Sequence, residues 1–282
     1  MTLWEQEHKS PPLGLIAGNR ELPRLVAEKA CELKRPIVIA ALEGEAEATL
    51  AALAHRFQWV RLGQLEKLAN FFQAVGVREL VMIGGVSRES IISNYEPDEA
   101  AAALMATLDD FHTDKILRAF CGWLEERGLK LQAATEILPE LLTPPGLLTR
   151  SAPTEALMLD LKVAWRVAKD LGRLDLGQCA VVSDCITLAV EAAEGTDAAV
   201  LRGAGLAGKP AAVAKVVKPT QDLRLDPPVI GPETIRVMAA TGKVGALVVD
   251  ANRVLIVNRE ETVRLADEAG LALLAWTDEM AR

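Results

Sequence analysis

LGLIAGNRELPRLVAEKACELKRPIVIAA, residues 13–41, decides the fold of the first half of the chain. Residues 13–17 are a short apolar run ending at Gly18, the pattern of a buried strand. Leu22, Leu25, Val26 and Ala30 then fall on one face of a helix over 21–34. Pro36 stops that helix, and Ile37–Ala41 is a second strand. The alternation continues outward. Gln58–Leu62 is a third strand candidate, Leu65, Leu68, Phe71 and Phe72 form a helical stripe, and Leu80–Ile83, followed by Gly84-Gly85, is a fourth buried strand. Strands alternating with helices predict a parallel sheet joined by crossover helices.

Thr113 to Arg127 reads as an amphipathic helix and Leu129–Ala133 as a strand. The stretch LPELLTPPGLLTRSAP, 138–153, carries four prolines and one glycine and cannot be one helix or one central strand. The junction is placed there. The expected architecture is α/β: an N-terminal Rossmann-like parallel-sheet domain over 1–143 and a C-terminal mixed α/β domain over 144–282. In the second half, 155–170 is a helix striped by Leu157, Leu161, Ala164, Trp165 and Ala168, and Cys179–Val190 is β-rich. Ala212–Val217 is a strand, Pro232–Ala240 a helix, and Gly245–Asp250 with Val254–Asn258 reads as a hairpin across Ala251-Asn252-Arg253. A helix at 260–269 and a strand at Leu271–Trp276 close the chain.

Composition excludes several function classes. The 282 residues are half apolar and carry 31 basic against 39 acidic side chains, a net charge of −8. No basic stripe is present for a phosphate backbone, so nucleic acid is not an expected partner. No apolar run reaches the roughly 18 residues that span a bilayer. The first twelve residues are polar and lack the apolar region of a signal peptide. Cys31, Cys121, Cys179 and Cys185 show no CxxC spacing and read as reduced core thiols, so a cytoplasmic location is expected. Histidine is scarce: only His8, His55 and His112 occur, far apart. Any divalent metal must therefore rest mainly on carboxylates, which favours Mg²⁺ or Mn²⁺.

Four segments carry candidate chemistry. The turn Ala17-Gly18-Asn19-Arg20 lets backbone approach a phosphate at a helix N-terminus, or is a tight βα turn with no ligand. It is not GxGxxG, which disfavours a dinucleotide enzyme. Gly84-Gly85-Val86-Ser87-Arg88 lies at the carboxyl end of a strand, where open α/β sheets bind ligands; Arg88 is its phosphate contact, unless the segment is again only a turn. Residues 218–234 gather Lys218, Gln221, Asp222, Arg224 and Asp226 among four prolines and Gly231. If 224–226 is extended, Arg224 and Asp226 share a face. Two carboxylates to hold a metal and two cations to hold phosphate oxygens suit a metal-phosphate site; a solvated loop of internal salt bridges is the other reading. Finally, Glu191, Glu194 and Asp197 are three acids within seven residues, with Thr196 adding a hydroxyl. A helix-to-loop corner, with Gly195 as C-cap and Thr196 or Asp197 as the next N-cap, is the other reading.

Several segments are distinctive together: LGLIAGNRELP (13–23), HTDKILRAFCGWLEERG (112–128), EILPELLTPPGLLT (136–149), VAKDLGRLDLGQCAVV (167–182), LAVEAAEGTD (188–197), AKVVKPTQDLRLDPPVIGPETI (214–235) and ADEAGLALLAW (266–276). In them the chain resembles the LpxI family of UDP-2,3-diacylglucosamine pyrophosphatases of lipid A synthesis, from Leu13 to Trp276. The resemblance implies two domains with the substrate between them. It implies Mg²⁺-dependent hydrolysis of UDP-2,3-diacylglucosamine to UMP and 2,3-diacylglucosamine 1-phosphate (lipid X), with water attacking the phosphorus on the sugar side. The family's essential aspartate maps to Asp226, with Asp222 as the second candidate for catalysis and metal binding. Gly18, Asn19, Gly84, Gly85, Arg88, Thr196, Asp197, Lys218, Gln221 and Arg224 are the candidate substrate contacts. A diacyl substrate implies transient contact with the inner-membrane surface, and a homodimer is left open. The rival reading is a nucleotide-sugar or acyl-lipid binding protein without turnover. The acids at 222 and 226 argue against it, because a pure binder of an anionic diphosphate needs only Arg and Lys.

Overall fold

The computed structural model describes residues 11–110, 112–219 and 221–281, with the side chains of Arg88 and Thr113 outside that description. The chain divides into two units, Met1–Pro139 with Arg224–Asp226, and Glu140–Leu223 with Pro227–Arg282.

In the first unit the order is β1 (Leu13–Ala17), α1 (Leu22–Glu32), β2 (Ile37–Leu42), β3 (Arg56–Val60), α2 (Leu65–Gln73), β4 (Glu79–Ile83), α3 (Arg88–Ser93), α4 (Glu99–Ala106), α5 (Thr113–Glu126), β5 (Lys130–Leu131) and α6 (Ala134–Ile137). The strands form one parallel sheet in the order β3-β2-β1-β4-β5. This is the Rossmann-like arrangement the alternating pattern predicts, with the strand order reversing between β1 and β4. Alternate strand residues Ile16, Val38, Ala40 and Leu80 point into a core completed by Phe72, Trp123 and Leu124. Among the described residues, Leu225 is the one residue of the second half of the chain in that core, 7% exposed. The third strand begins two residues earlier than its apolar pattern placed it, because its register is set by β2, where Val38 faces Arg56.

The second unit runs β6 (Gly146–Leu147), α7 (Glu155–Arg173), β7 (Cys179–Ser183), β8 (Ile186–Val190), α8 (Thr196–Leu206), β9 (Ala211–Lys215), β10 (Val229–Ile230), α9 (Pro232–Ala240), β11 (Val244–Asp250), β12 (Leu255–Ile256), α10 (Arg259–Glu268) and β13 (Ala272–Trp276). Its mixed sheet has the order β6-β13-β11-β9-β7-β8, parallel across β13, β11 and β9 and antiparallel at both edges. The strands are sorted by the two-residue period. Ala180, Ala212, Ala214, Ala246 and Ala272 face α7, and these small side chains make room for Trp165 and Trp276, whose rings lie 5.8 Å apart. Val181, Val213, Leu247, Val249 and Leu273 face the other way, onto Val200 of α8, Ile235 and Met238 of α9 and Ala266 of α10.

Two local readings are corrected or resolved. The segments 245–250 and 254–258 do not form a hairpin. β11 is a central strand between β9 and β13, and β12 instead pairs in parallel with β10 in a separate two-stranded ladder. A central strand has both its edges filled, so the chain after Asp250 has to leave the sheet. Within the β-rich 179–190, Ser183-Asp184-Cys185-Ile186 is a two-residue hairpin turn, with Ser183 opposite Ile186 and positive φ at both Asp184 and Cys185 (52° and 59°). Buried Asp160 of α7 accepts from both of their backbone N–H groups, at 3.2 and 2.6 Å, which holds non-glycine residues in that conformation.

Candidate functional site

In the first unit, the carboxyl ends of β1, β2 and β4 meet at the strand-order reversal. Gly18, Asn19, Gly84 and Gly85 are brought together there. Asn19 N–H donates to the Gly85 carbonyl at 2.9 Å, and Gly85 N–H donates to Asn19 Oδ1 at 3.1 Å. The glycines serve this contact directly. A Cβ on Gly18 would lie 2.4 Å from the Gly85 carbonyl oxygen, and one on Gly84 would lie 2.6 Å from the Asn19 carbonyl oxygen. Backbone packed against backbone therefore explains the glycine pair without a ligand, while leaving the loop ends at the position where such sheets bind one.

Glu45, after β2, gathers these loops and was not singled out from the sequence. It accepts from Ser87 N–H at 2.7 Å, Ser87 Oγ at 2.6 Å and Asn19 Nδ2 at 2.5 Å. Burial pushes its carboxyl up, but the hydrogen bonds from Ser87, Ser90 and Asn19 outweigh that and hold it below the ordinary glutamate value. Ser87 also caps α3, its hydroxyl accepting from Ser90 N–H at 3.1 Å. Arg88 opens that helix; its side chain lies outside the described residues.

In the second unit, the EGTD segment folds as a cap. Gly195, at φ 84°, precedes α8, and Thr196 donates from its hydroxyl to Glu191 Oε1 at 3.0 Å. Gly195 is thus the N-cap of the following helix rather than the end of a preceding one. Buried Glu191 accepts Gln178 N–H through its other oxygen at 3.1 Å, and Asp197 is exposed in the first turn of α8. Gln178 N–H and Glu191 link β7 and β8 at the edge of the sheet where β9 ends, since Val216 N–H donates to the Gln178 carbonyl at 2.9 Å. Lys218 follows two residues later, its ammonium 2.7 Å from Asp175. Its N–H donates to Gln221 Oε1 at 3.2 Å.

Asp250, at the end of β11, was also missed. It is 3% exposed and accepts Lys169 Nζ through both oxygens at 2.8 Å, and Val217 N–H at 2.7 Å. One buried carboxylate thus fixes α7 and the start of the 218–226 loop. Its signal in the sequence is a lone acid closing the apolar run Val244–Val249.

The expectation of an extended 224–226 is overturned. Residues 223–225 form a turn, which removes the two-residue alternation that would set Arg224 beside Asp226. Leu225 enters the core of the first unit, and Arg224 pairs with Glu125 of α5 at 3.0 Å. Asp226 is exposed, followed by buried Pro227 and Pro228, and Asp222 is half-buried. Among the described residues, no three His, Cys, Asp or Glu side chains gather as a metal site. The reading of all four cysteines as core thiols holds for Cys121 and Cys179, whereas Cys31 and Cys185 are exposed; none is disulfide-bonded.

Fold and loops define a two-unit α/β protein with a Rossmann-like unit and a mixed-sheet unit. Residues 12–141 match the LpxI N-terminal domain and residues 144–274 the LpxI C-terminal domain. The chain belongs to the LpxI family. It is 34% identical over 276 residues, 93% of this chain and 96% of the relative, to the UDP-2,3-diacylglucosamine pyrophosphatase LpxI of Caulobacter vibrioides. Two solved structures show a remote likeness. The biotin carboxylase domain of Hydrogenobacter thermophilus 2-oxoglutarate carboxylase is 15% identical at a TM-score of 0.27, covering 64% of this chain and 36% of its own. The biotin carboxylase subunit of pyruvate carboxylase is 17% identical at 0.25, covering 61% and 35%. The chain spans about a third of the length of those two proteins.

Proposed function

We propose that this protein hydrolyses the pyrophosphate of UDP-2,3-diacylglucosamine, in lipid A synthesis, to UMP and 2,3-diacylglucosamine 1-phosphate. The observation that supports it is the 34% identity to a UDP-2,3-diacylglucosamine pyrophosphatase across nearly the whole length of both chains. Water attacks the phosphorus on the sugar side, its oxygen stays with the sugar phosphate, and the bridging oxygen leaves with UMP.

Asp226 is the principal catalytic carboxylate, with Asp222 second; both are assigned to Mg²⁺, for which Mn²⁺ can substitute. When bound, the ion neutralises charge on the pyrophosphate oxygens. The chain's own part is positioning. Buried Leu225 on one side of Asp226 and buried Pro227-Pro228 on the other restrict where an exposed carboxylate can go. Lys218 and Arg224 are the phosphate contacts, and in the free protein each holds a carboxylate, Asp175 or Glu125, that a substrate phosphate displaces. Gly18, Asn19, Gly84, Gly85, Arg88, Thr196, Asp197 and Gln221 are the remaining assigned substrate contacts. Among the described residues no helix is long and apolar enough to cross a membrane. With a net charge of −8, this fits transient contact of a cytoplasmic protein with the membrane surface that holds a diacyl substrate.

The test is hydrolysis of UDP-2,3-diacylglucosamine with Mg²⁺ in ¹⁸O-water. UMP should be released and the label should appear in the sugar 1-phosphate. Absence of UMP at micromolar enzyme rejects the hydrolase, and label in UMP rejects the direction of attack.

A further inference from the structure

The second unit contains a cavity of about 520 Å³. That is within the roughly 300–1,000 Å³ typical of small-molecule sites. It opens where three neighbouring parallel strands end. Val217 follows β9, Arg253 follows β11 and Asp278 follows β13, while α7 supplies the remaining wall. The carboxyl ends of parallel strands are where open α/β sheets bind ligands.

Four cations reach this cavity: Arg166, Lys169, Arg173 and Arg253. Their charges are not equally compensated. Lys169 is held by buried Asp250 at 2.8 Å, with Asp278 at 3.3 Å, and lies 4.7 Å above the Trp165 ring. Arg173 is paired with Asp170. Among the described residues, Arg166 and Arg253 make no ion pair or hydrogen bond. Both guanidinium groups line one cavity, and an anion bound there would be attracted to each. A guanidinium fork matches the paired oxygens of a phosphoryl group better than a single carboxylate oxygen or a halide. The volume exceeds what one phosphate needs, and Trp165, Val217 and Pro219 offer apolar surface to an attached body.

We infer that this cavity binds an organic phosphate monoester, its phosphoryl group held by Arg166 and Arg253 and its sugar or nucleoside against Trp165 and Val217. The inference rests on the geometry of the second unit and does not require the pyrophosphatase reading to be right. Asp250 adds a structural link, since the carboxylate that holds Lys169 in the cavity wall also holds Val217 N–H at the root of the 218–226 loop.

Isothermal titration calorimetry on the full chain, without metal, tests it with three probes: UMP, glucosamine 1-phosphate and inorganic phosphate. At least one monoester should bind saturably and more tightly than inorganic phosphate, and which one binds identifies the body the cavity accepts. The Arg166→Ala/Arg253→Ala variant should lose roughly tenfold or more in affinity, the usual scale of a lost charge-assisted hydrogen bond. Its melting temperature without ligand should be unchanged, since neither side chain holds another in place. Three results overturn the inference: no saturable binding of any probe, monoester binding no tighter than that of inorganic phosphate, or an affinity in the double variant within twofold of the parent. None depends on turnover, so failure of the hydrolysis assay and failure here are separable.

Discussion

Replacing Asp250 with alanine should be the most damaging single change in the second unit. The side chains of Asp250 and Lys169 are 4% and 13% exposed, so water screens their attraction little. Removing one member of a buried pair costs about 3–5 kcal/mol, because the remaining charge is left uncompensated. Lys169 keeps Asp278 at 3.3 Å and the Trp165 ring at 4.7 Å, which sets that part near the lower bound. The Val217 N–H, donated at 2.7 Å in the native protein, is stranded in a buried position and adds about 1 kcal/mol or more. The sum is about 4 kcal/mol, or roughly 8–16 °C in melting temperature for a unit of this size. Differential scanning calorimetry measures it. Lys169→Met/Asp250→Asn removes both charges while the asparagine oxygen still accepts from Val217, so the double variant should recover most of the loss. A melting temperature for Asp250→Ala within about 2 °C of the parent would refute the reasoning.

Further outcomes are expected elsewhere. Asp226→Ala should lower turnover by roughly 10²–10³, the scale of one lost electrostatic group in a site, and leave the melting temperature nearly unchanged because its carboxylate is exposed; an active variant would reject its role. Gly18→Ala sets a methyl 2.4 Å from a backbone oxygen that no rotamer change can move, and should cost about 1–3 kcal/mol in urea denaturation. The Glu45 carboxyl is held below its unfolded value, so its contribution to stability is present above the ordinary glutamate range and lost as pH falls through its depressed folded value. Glu45→Gln should flatten that acid dependence in pH-resolved melting curves. Native protein should titrate two fast thiols with a disulfide reagent, the exposed Cys31 and Cys185. Cys121 and Cys179 should react only on unfolding, and the Cys179 thiol is pushed up by its burial.

The first unit was legible because its central strands β1 and β2 are buried on both faces and read as continuous apolar runs separated by helical stripes. The hairpin expected around Ala251-Asn252-Arg253 failed for a related reason: short apolar runs announce strands but not partners, and β11 finds its neighbours in β9 and β13, more than twenty residues away on either side. Candidate charges could be picked out where they cluster in sequence, as at 218–226, and were hidden where the chain assembles them in space. Glu45 sits in an ordinary Glu-Ala stretch, and only the meeting of three strand ends gives it Asn19 and Ser87 as partners. The glycines at 18, 84 and 85 were noticed for a ligand and explained by each other. Arg224 and Lys218 were singled out as a pair of cations, but their carboxylate partners Glu125 and Asp175 lie 99 and 43 residues away, beyond any local pattern.

The return of Leu225 to the first unit makes that unit a discontinuous fold, and this governs how the protein can be cut. A gene fragment ending near Pro139 encodes every strand of the parallel sheet but leaves one core position empty. The missing leucine corresponds to about 1.5–3 kcal/mol of apolar burial. Such a fragment should be visibly softer than the same unit within the whole chain. Supplying residues around 219–230 as a separate peptide should restore part of its stability, a complementation with no counterpart for two domains joined end to end.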